Sequence, residues 1–156
     1  MSKVTKIPFA FRAATYTDKN LILKSWLRTW HDDNKHMSQT LYYNQANSLF
    51  NSILDKFGAV VACNPDNPDQ VYSFAVAAYL DNDEWVMFLI QTKSLYSKLG
   101  IGKALYNFIK GDRKTGPICP FLRRKSRYFI DKYDLLDAPL VISQLMANKT
   151  AKGVEI

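Results

Sequence analysis

Residues 95–110 read LYSKLGIGKALYNFIK, and this stretch decides the fold. Gly100 and Gly102 stand one residue apart and lead into Lys103. Ile101, Ala104, Leu105, Phe108 and Ile109 then recur at the spacing of one helical face. Glycines just before a helix let backbone N–H groups approach an anion, where the helix dipole presents its positive end. Lys98 and Lys103 add charge at the same mouth. The stretch therefore reads as an anion-holding turn at the start of a helix.

Two familiar phosphate loops do not fit. A Walker A loop needs a glycine five residues before the Gly-Lys pair and Ser or Thr after it, and those positions hold Ser97 and Ala104. A dinucleotide fingerprint needs a small residue three positions after the second glycine, inside an early βαβ unit. Leu105 stands there, two-thirds along the chain.

Upstream, EWVMFLIQT is a strand that feeds the glycine turn. VYSFAVAAYL is the strand before it, and GAVVAC the one before that. The links are NPDNPDQ and LDNDE, both dense in turn-forming residues. Three strands with short loops predict an antiparallel meander. Earlier still, a short strand at Phe9–Ala14 leads to a helix capped by Thr17 or Asp18 and running to about Trp30. A second helix, capped by Ser38, places Tyr42, Ala46, Leu49, Phe50, Ile53 and Leu54 on one side. Downstream, GDRKTGPICP is a loop or short strand, FLRRKSRYFIDKY a basic amphipathic helix and APLVI a last short strand. The expected class is α+β, in the order β-α-α-β-β-β-α-β-α-β, with helices covering a mostly antiparallel sheet. A single domain spans 1–156, and residues from about 146 to 156 read as a frayed tail.

Composition sets the outer bounds. Apolar residues make up 47% and charged residues 22%, a balance that supports a packed core and excludes disorder. No apolar run approaches the ~20 residues of a membrane span, and the first residues lack an apolar signal core. Cys63 and Cys119 form no metal-ligand or redox spacing, so free thiols in a reducing cytoplasm are expected and no metal site is. The net charge of +7 is concentrated late in the chain. Lys93, Lys98, Lys103, Lys110, Arg113, Lys114, Arg123, Arg124, Lys125, Arg127 and Lys132 face only Asp112 and Asp131 there. That half favours phosphates or acidic partners.

LYSKLGIGKAL, between a strand and a helix, resembles motif A of the GCN5-related N-acetyltransferases, the GNAT family. In that motif Arg/Gln-x-x-Gly-x-Gly/Ala binds the pyrophosphate of acetyl-CoA, and it falls here on Ser97, Lys98, Leu99, Gly100, Ile101 and Gly102. Ser97 departs from the usual Arg or Gln. FRAATYTDKNLILKSWL resembles the family's opening strand and first helix, GAVVAC…VYSFAVAAYL its central hairpin, and EWVMFLIQT its fourth strand. SWLRTWHDD resembles acetyltransferases carried by bacteriophages.

The resemblance implies acetyl-CoA as the cofactor, with its pantetheine arm along Leu89 and Ile90 of a fourth strand splayed from the fifth. Its thioester would lie near Phe88–Ile90, and Lys103 would join the phosphate contacts. It implies direct attack by an amine of a small molecule or protein. Glu84, at the turn into the fourth strand, is the candidate base. In the family a late-helix tyrosine protonates the leaving thiolate; Ile130 falls at that place, so Tyr128 or Tyr133 stands in. His31 and His36 border the loop beside the implied acceptor site, which Trp26, Trp30, Tyr42 and Tyr43 either line or support as core. The other reading keeps the scaffold without the catalysis: an interaction protein that binds a host protein or nucleic acid through its basic half.

Overall fold

The computed structural model describes residues 7–33, 39–81, 83–119, 136–137 and 146–156. In chain order the elements are β1 (Ala10–Ala13), α1 (Tyr16–Asp33), α2 (Gln39–Phe57), β2 (Val60–Asn64), β3 (Asn67–Tyr79) and β4 (Trp85–Thr92). A single 3-10 turn at Ser94–Tyr96 follows, then α3 (Ile101–Lys110), β5 (Ile118–Cys119), β6 (Leu136–Asp137) and β7 (Lys152–Gly153). The sheet order is β1-β2-β3-β4-β5-β6, with β7 beside β3. β1 through β4 run antiparallel, and β4, β5 and β6 run parallel. This is the mixed, mostly antiparallel α+β architecture expected from the sequence.

Strand alternation divides the core into two layers. Val61, Phe74, Val76 and Val86 point to the α1–α2 side, where they pack with Ile22, Trp26, Phe50 and Ile53. Val60, Ala75, Ala77, Trp85 and Met87 point to the other side and pack beneath Leu105, Tyr106 and Ile109 of α3. Trp26 stacks on Phe50 with ring centroids 3.9 Å apart, so this tryptophan is core. Trp30, Tyr42 and Tyr43 belong to α1 and α2 by backbone, and their side chains lie outside the described set.

The start of α1 differs from the expectation by a few residues. Thr15, and not Thr17 or Asp18, is its cap. The Thr15 hydroxyl accepts the Asp18 N–H at 3.3 Å, while the Asp18 carboxylate accepts the Thr15 N–H at 2.8 Å and hydroxyl at 2.9 Å. This reciprocal pair is a capping box with Asp at the third helical position. Arg12 completes it: its guanidinium ion-pairs with Asp18 and also donates to the Pro68 carbonyl at 2.8 Å. Burial alone pushes the Asp18 carboxyl up, but the bonds from Arg12 and Thr15 outweigh it and hold the group below its usual range. Because Pro68 is thus tied to β1, β3 begins at Asn67, inside the stretch read as a long turn. The turn itself shrinks to Pro65–Asp66, with the Asn64 side-chain oxygen accepting the Asp66 N–H at 2.9 Å.

The chain end is a larger correction. Residues 146–156 are docked, not frayed. β7 pairs with Ala78 and Tyr79, which already face β4 on their other side, so it extends the β2 edge past the start of that strand. Ala151 is buried in the α1–α2 core. The Lys56 ammonium at the end of α2 donates to the Met146 carbonyl at 2.6 Å and the Asn148 carbonyl at 2.9 Å. The basic helix expected over FLRRKSRYFIDKY and the strand expected at APLVI fall outside the described residues.

Gly153 is where this docking is tightest. A Cβ there would collide with the Phe57 carbonyl oxygen, a backbone atom that cannot swing aside. Gly153→Ala is expected to lose about 2 kcal/mol of stability, the scale of an overpacked interior position. Thermal unfolding would show this as a melting point lowered by several degrees; an unchanged melting point would mean that β7 is not seated on α2.

Candidate functional site

The glycine turn is anchored before it is exposed. The Lys93 N–H donates to the Tyr72 carbonyl at 2.9 Å. Tyr96 tilts against Tyr72 at 4.5 Å, and its hydroxyl accepts from Gln70 at 2.8 Å. Leu99 is half-buried against the small cluster of Ala62, Tyr72 and Ile101. Ile101 is itself fully buried. Ile101 thus points inward, and Leu99 leans on the same cluster while remaining partly open to solvent.

Between these anchors the chain takes two left-handed steps, at Lys98 (φ 65°) and Gly100 (φ 80°). Gly100 is the N-cap of α3 and supplies no side chain to it; the first turn carries no acidic residue. The first intrahelical bond runs from the Ala104 N–H to the Gly100 carbonyl at 3.0 Å. The N–H groups of Ile101, Gly102 and Lys103 precede it and open from the helix end. Lys98 and Lys103 are exposed on either side. Three donors, a helix dipole and two ammonium groups with no competing carboxylate suit an anion such as a diphosphate. Ser97 does not add to this set, because its hydroxyl donates to the Ser94 carbonyl at 2.8 Å inside the 3-10 turn.

β4 carries the second feature. Val76 faces Leu89 and Ala77 faces Met87, so Phe88 is an extra residue bulged out of the ladder. Phe88 and Leu89 consequently both lie in the α1–α2 core, while Met87 and Ile90 lie on the α3 side. Beyond the bulge the alternation is shifted by one. Gln91 therefore turns to α1, where its side-chain amide accepts from the Ser25 hydroxyl and donates to the Thr29 hydroxyl, both at 2.7 Å. Thr92 turns to α3, and its hydroxyl stands where a Cβ on Gly102 would come within 2.6 Å.

On its other edge β4 meets β5. The only registered partner with β5 is Val86 with Ile118. Among the described residues, Leu89 to Thr92 pair with β3 alone. From the end of β4 the chain runs through the 3-10 turn into the glycine turn.

Glu84 sits at the far end of β4. Its carbonyl accepts the Leu80 N–H at 2.8 Å, and its side chain is exposed at the turn. Eight residues of extended chain separate it from Thr92, about 25 Å. Tyr128 and Tyr133 lie outside the described residues, as do Ile130 and His36. The sequence reading missed Ser73, Gln91 and Thr92. Ser73 is fully buried; its hydroxyl donates to the Gln91 carbonyl at 2.6 Å and lies 3.1 Å from the Thr92 hydroxyl. A serine inside the apolar run VYSFAV was the available signal.

No family model matches this sequence, and no curated protein matches it. Solved structures do. The chain is similar to an acetyltransferase of the GNAT family from Staphylococcus aureus, at 13% identity over 80% of this chain and 82% of that one, with a TM-score of 0.53. It is similar to a possible acetyltransferase from Clostridium difficile, at 13% identity over 83% and 91%, with a TM-score of 0.52. Against apo-form YjaB from Escherichia coli the identity is 19% over 65% of this chain and 63% of that one, with a TM-score of 0.45. The fold is that of the GNAT acetyltransferases.

The fit of Gly102 against Thr92 can be tested on stability alone. Gly102→Ala is expected to destabilise by about 1–2 kcal/mol, and Thr92→Ala in the same chain to recover most of that loss. A double-mutant cycle by urea unfolding measures the coupling; additive losses would show that the two residues do not touch.

Proposed function

We propose that this protein is an acetyl-CoA-dependent N-acetyltransferase that acts on an amine of a small molecule or a protein. The single observation that carries this reading is the donor-rich start of α3, opened by a left-handed Gly100 shortly after the bulged strand β4. In this reading the start of α3 takes the diphosphate and β4 aligns the amide-bearing arm that leads from it.

In this reading Gly100, Ile101, Gly102 and Lys103 hold the pyrophosphate through backbone N–H groups, with Lys98 and Lys103 adding charge. Lys98 and Leu99 shape the approach, and Ser97 contributes through the 3-10 turn it closes. The backbone of Leu89 and Ile90 pairs with the pantetheine arm as a missing strand would. Acetyl-CoA supplies an activated acyl group as a thioester. A backbone N–H at the bulge is placed to stabilise negative charge on the carbonyl oxygen as the acceptor nitrogen attacks.

An alkylammonium loses its proton near pH ~10, so attack near neutrality needs a proton acceptor. Glu84 takes that role, directly or through water, and Tyr128 returns a proton to the departing sulfur. The nitrogen–carbon bond forms, the carbon–sulfur bond breaks, and the products are an amide and a thiol. Cys63 and Cys119 are both buried, and the proposed site of action is the cytoplasm.

Calorimetric titration with acetyl-CoA tests this reading. The wild-type chain is expected to bind one equivalent, and Gly100→Glu to abolish binding while the far-UV spectrum stays unchanged. Space beside Gly100 is open, so the variant adds charge without a clash, although its positive φ adds some strain. Failure of the wild type to bind would overturn the reading. With a competent acceptor found by labelled acetyl transfer, Glu84→Gln is expected to slow turnover by at least tenfold and to leave cofactor affinity within twofold; equal turnover would remove Glu84 from the mechanism.

A further inference from the structure

The last two residues of β4 are held from three directions at once. The Gln91 side chain is fastened to α1 by Ser25 and Thr29, one helical turn apart on the face that looks at the sheet. The Gln91 carbonyl is capped from β3 by the buried Ser73 hydroxyl. That hydroxyl has a single proton, already given to the carbonyl, so in the contact between Ser73 and Thr92 the Thr92 hydroxyl is the donor. Thr92 is thereby oriented against Gly102, on the opposite face from Gln91. One residue later the Lys93 N–H is fixed to the Tyr72 carbonyl.

We infer that Gln91 is a positioning residue for the cofactor site: its amide ties α1 to the end of β4 and so sets where the glycine turn stands relative to that strand. This rests on the acetyl-CoA reading for its ligand, but not for its mechanical content. Fully paired strands do not need such a fastening. The end of β4 is different: among the described residues it pairs with β3 alone, and it carries a bulge three residues earlier. A bulged strand end held by one neighbour alone moves more freely than a strand paired on both sides. Gln91 suits the task because its amide has both an acceptor for one hydroxyl and a donor for the other.

The chemistry of the pair dictates the variants. Gln91→Met keeps the length and removes both bonds. Gln91→Glu keeps both, since Ser25 and Thr29 can each turn a hydroxyl proton to a carboxylate. The double substitution Ser25→Ala, Thr29→Ala cuts the same fastening from the helix side and leaves Gln91 half-exposed to water, so it serves if Gln91→Met fails to fold. Two measurements apply to each variant: acetyl-CoA affinity by calorimetry, and hydrogen exchange at the amides of Lys93 and Ala104, which report the strand end and the first turn of α3.

For Gln91→Met and for the double alanine variant we expect exchange at Lys93 and Ala104 to quicken about tenfold, with acetyl-CoA affinity falling by a similar factor. That is the scale of two neutral hydrogen bonds lost from a preorganised site. Gln91→Glu is expected to restore slow exchange. A lowered melting point with unchanged exchange and unchanged affinity would overturn the inference and leave Gln91 as ordinary packing. If the wild type does not bind acetyl-CoA, the functional reading falls, and the exchange data alone decide whether the fastening exists.

Discussion

The bulge at Phe88 is the constraint on which the rest depends. A strand alternates its side chains with a period of two, so one extra residue exchanges the faces of everything after it. Without it, Gln91 would point into the apolar layer beneath α3 and Thr92 into the layer beneath α1. With it, the polar amide reaches two helix hydroxyls and the small hydroxyl meets the one residue in α3 that has no side chain. The glycine turn is therefore seated by an irregularity six to eight residues before its 3-10 turn, inside a strand that otherwise reads as uniform.

The same irregularity explains how an apolar strand can be both core and binding edge. Leu89 is buried among α1 and α2 and can offer a ligand only its backbone. Ile90 is half-buried on the other side. Any recognition along this edge uses main-chain N–H and C=O groups, which place an arm but do not distinguish side chains. Affinity from charge is concentrated at the other end, where Lys98 and Lys103 flank open amides. In the proposed function the two ends divide the work: one supplies attraction, the other alignment.

Much of this was legible in the sequence, and the reasons are local. The meander could be read because GAVVAC, VYSFAVAAYL and EWVMFLIQT are apolar runs separated by turn residues. The helix after Gly102 could be read because Ile101, Leu105 and Ile109 keep a strict helical phase. Positive φ at Gly100 follows from the residue type. What stayed hidden depends on pairing between distant segments. A bulge exists only relative to a partner strand, so WVMFLIQT alone carries no mark at Phe88. Ser73 and Gln91 became site residues through contacts spanning 18 and 66 positions. The cap at Thr15 was displaced by two or three positions because Arg12 and Pro68, far apart in the chain, fix where Asp18 sits.

The chain end carries a different lesson. Several of its attachments are made to backbone: carbonyls of Met146 and Asn148 on Lys56, a short ladder on β3, and a close pass of Gly153 over Phe57, while the Thr150 hydroxyl on the Asp81 carboxylate and the buried Ala151 add side-chain contacts. Main-chain interactions are indifferent to residue type, which is why ANKTAKGVEI has the composition of an unstructured tail while occupying a fixed place. Tolerance along this segment should accordingly be uneven: the exposed lysines at 149 and 152 are interchangeable with other polar residues, whereas Ala151 and Gly153 admit almost nothing larger.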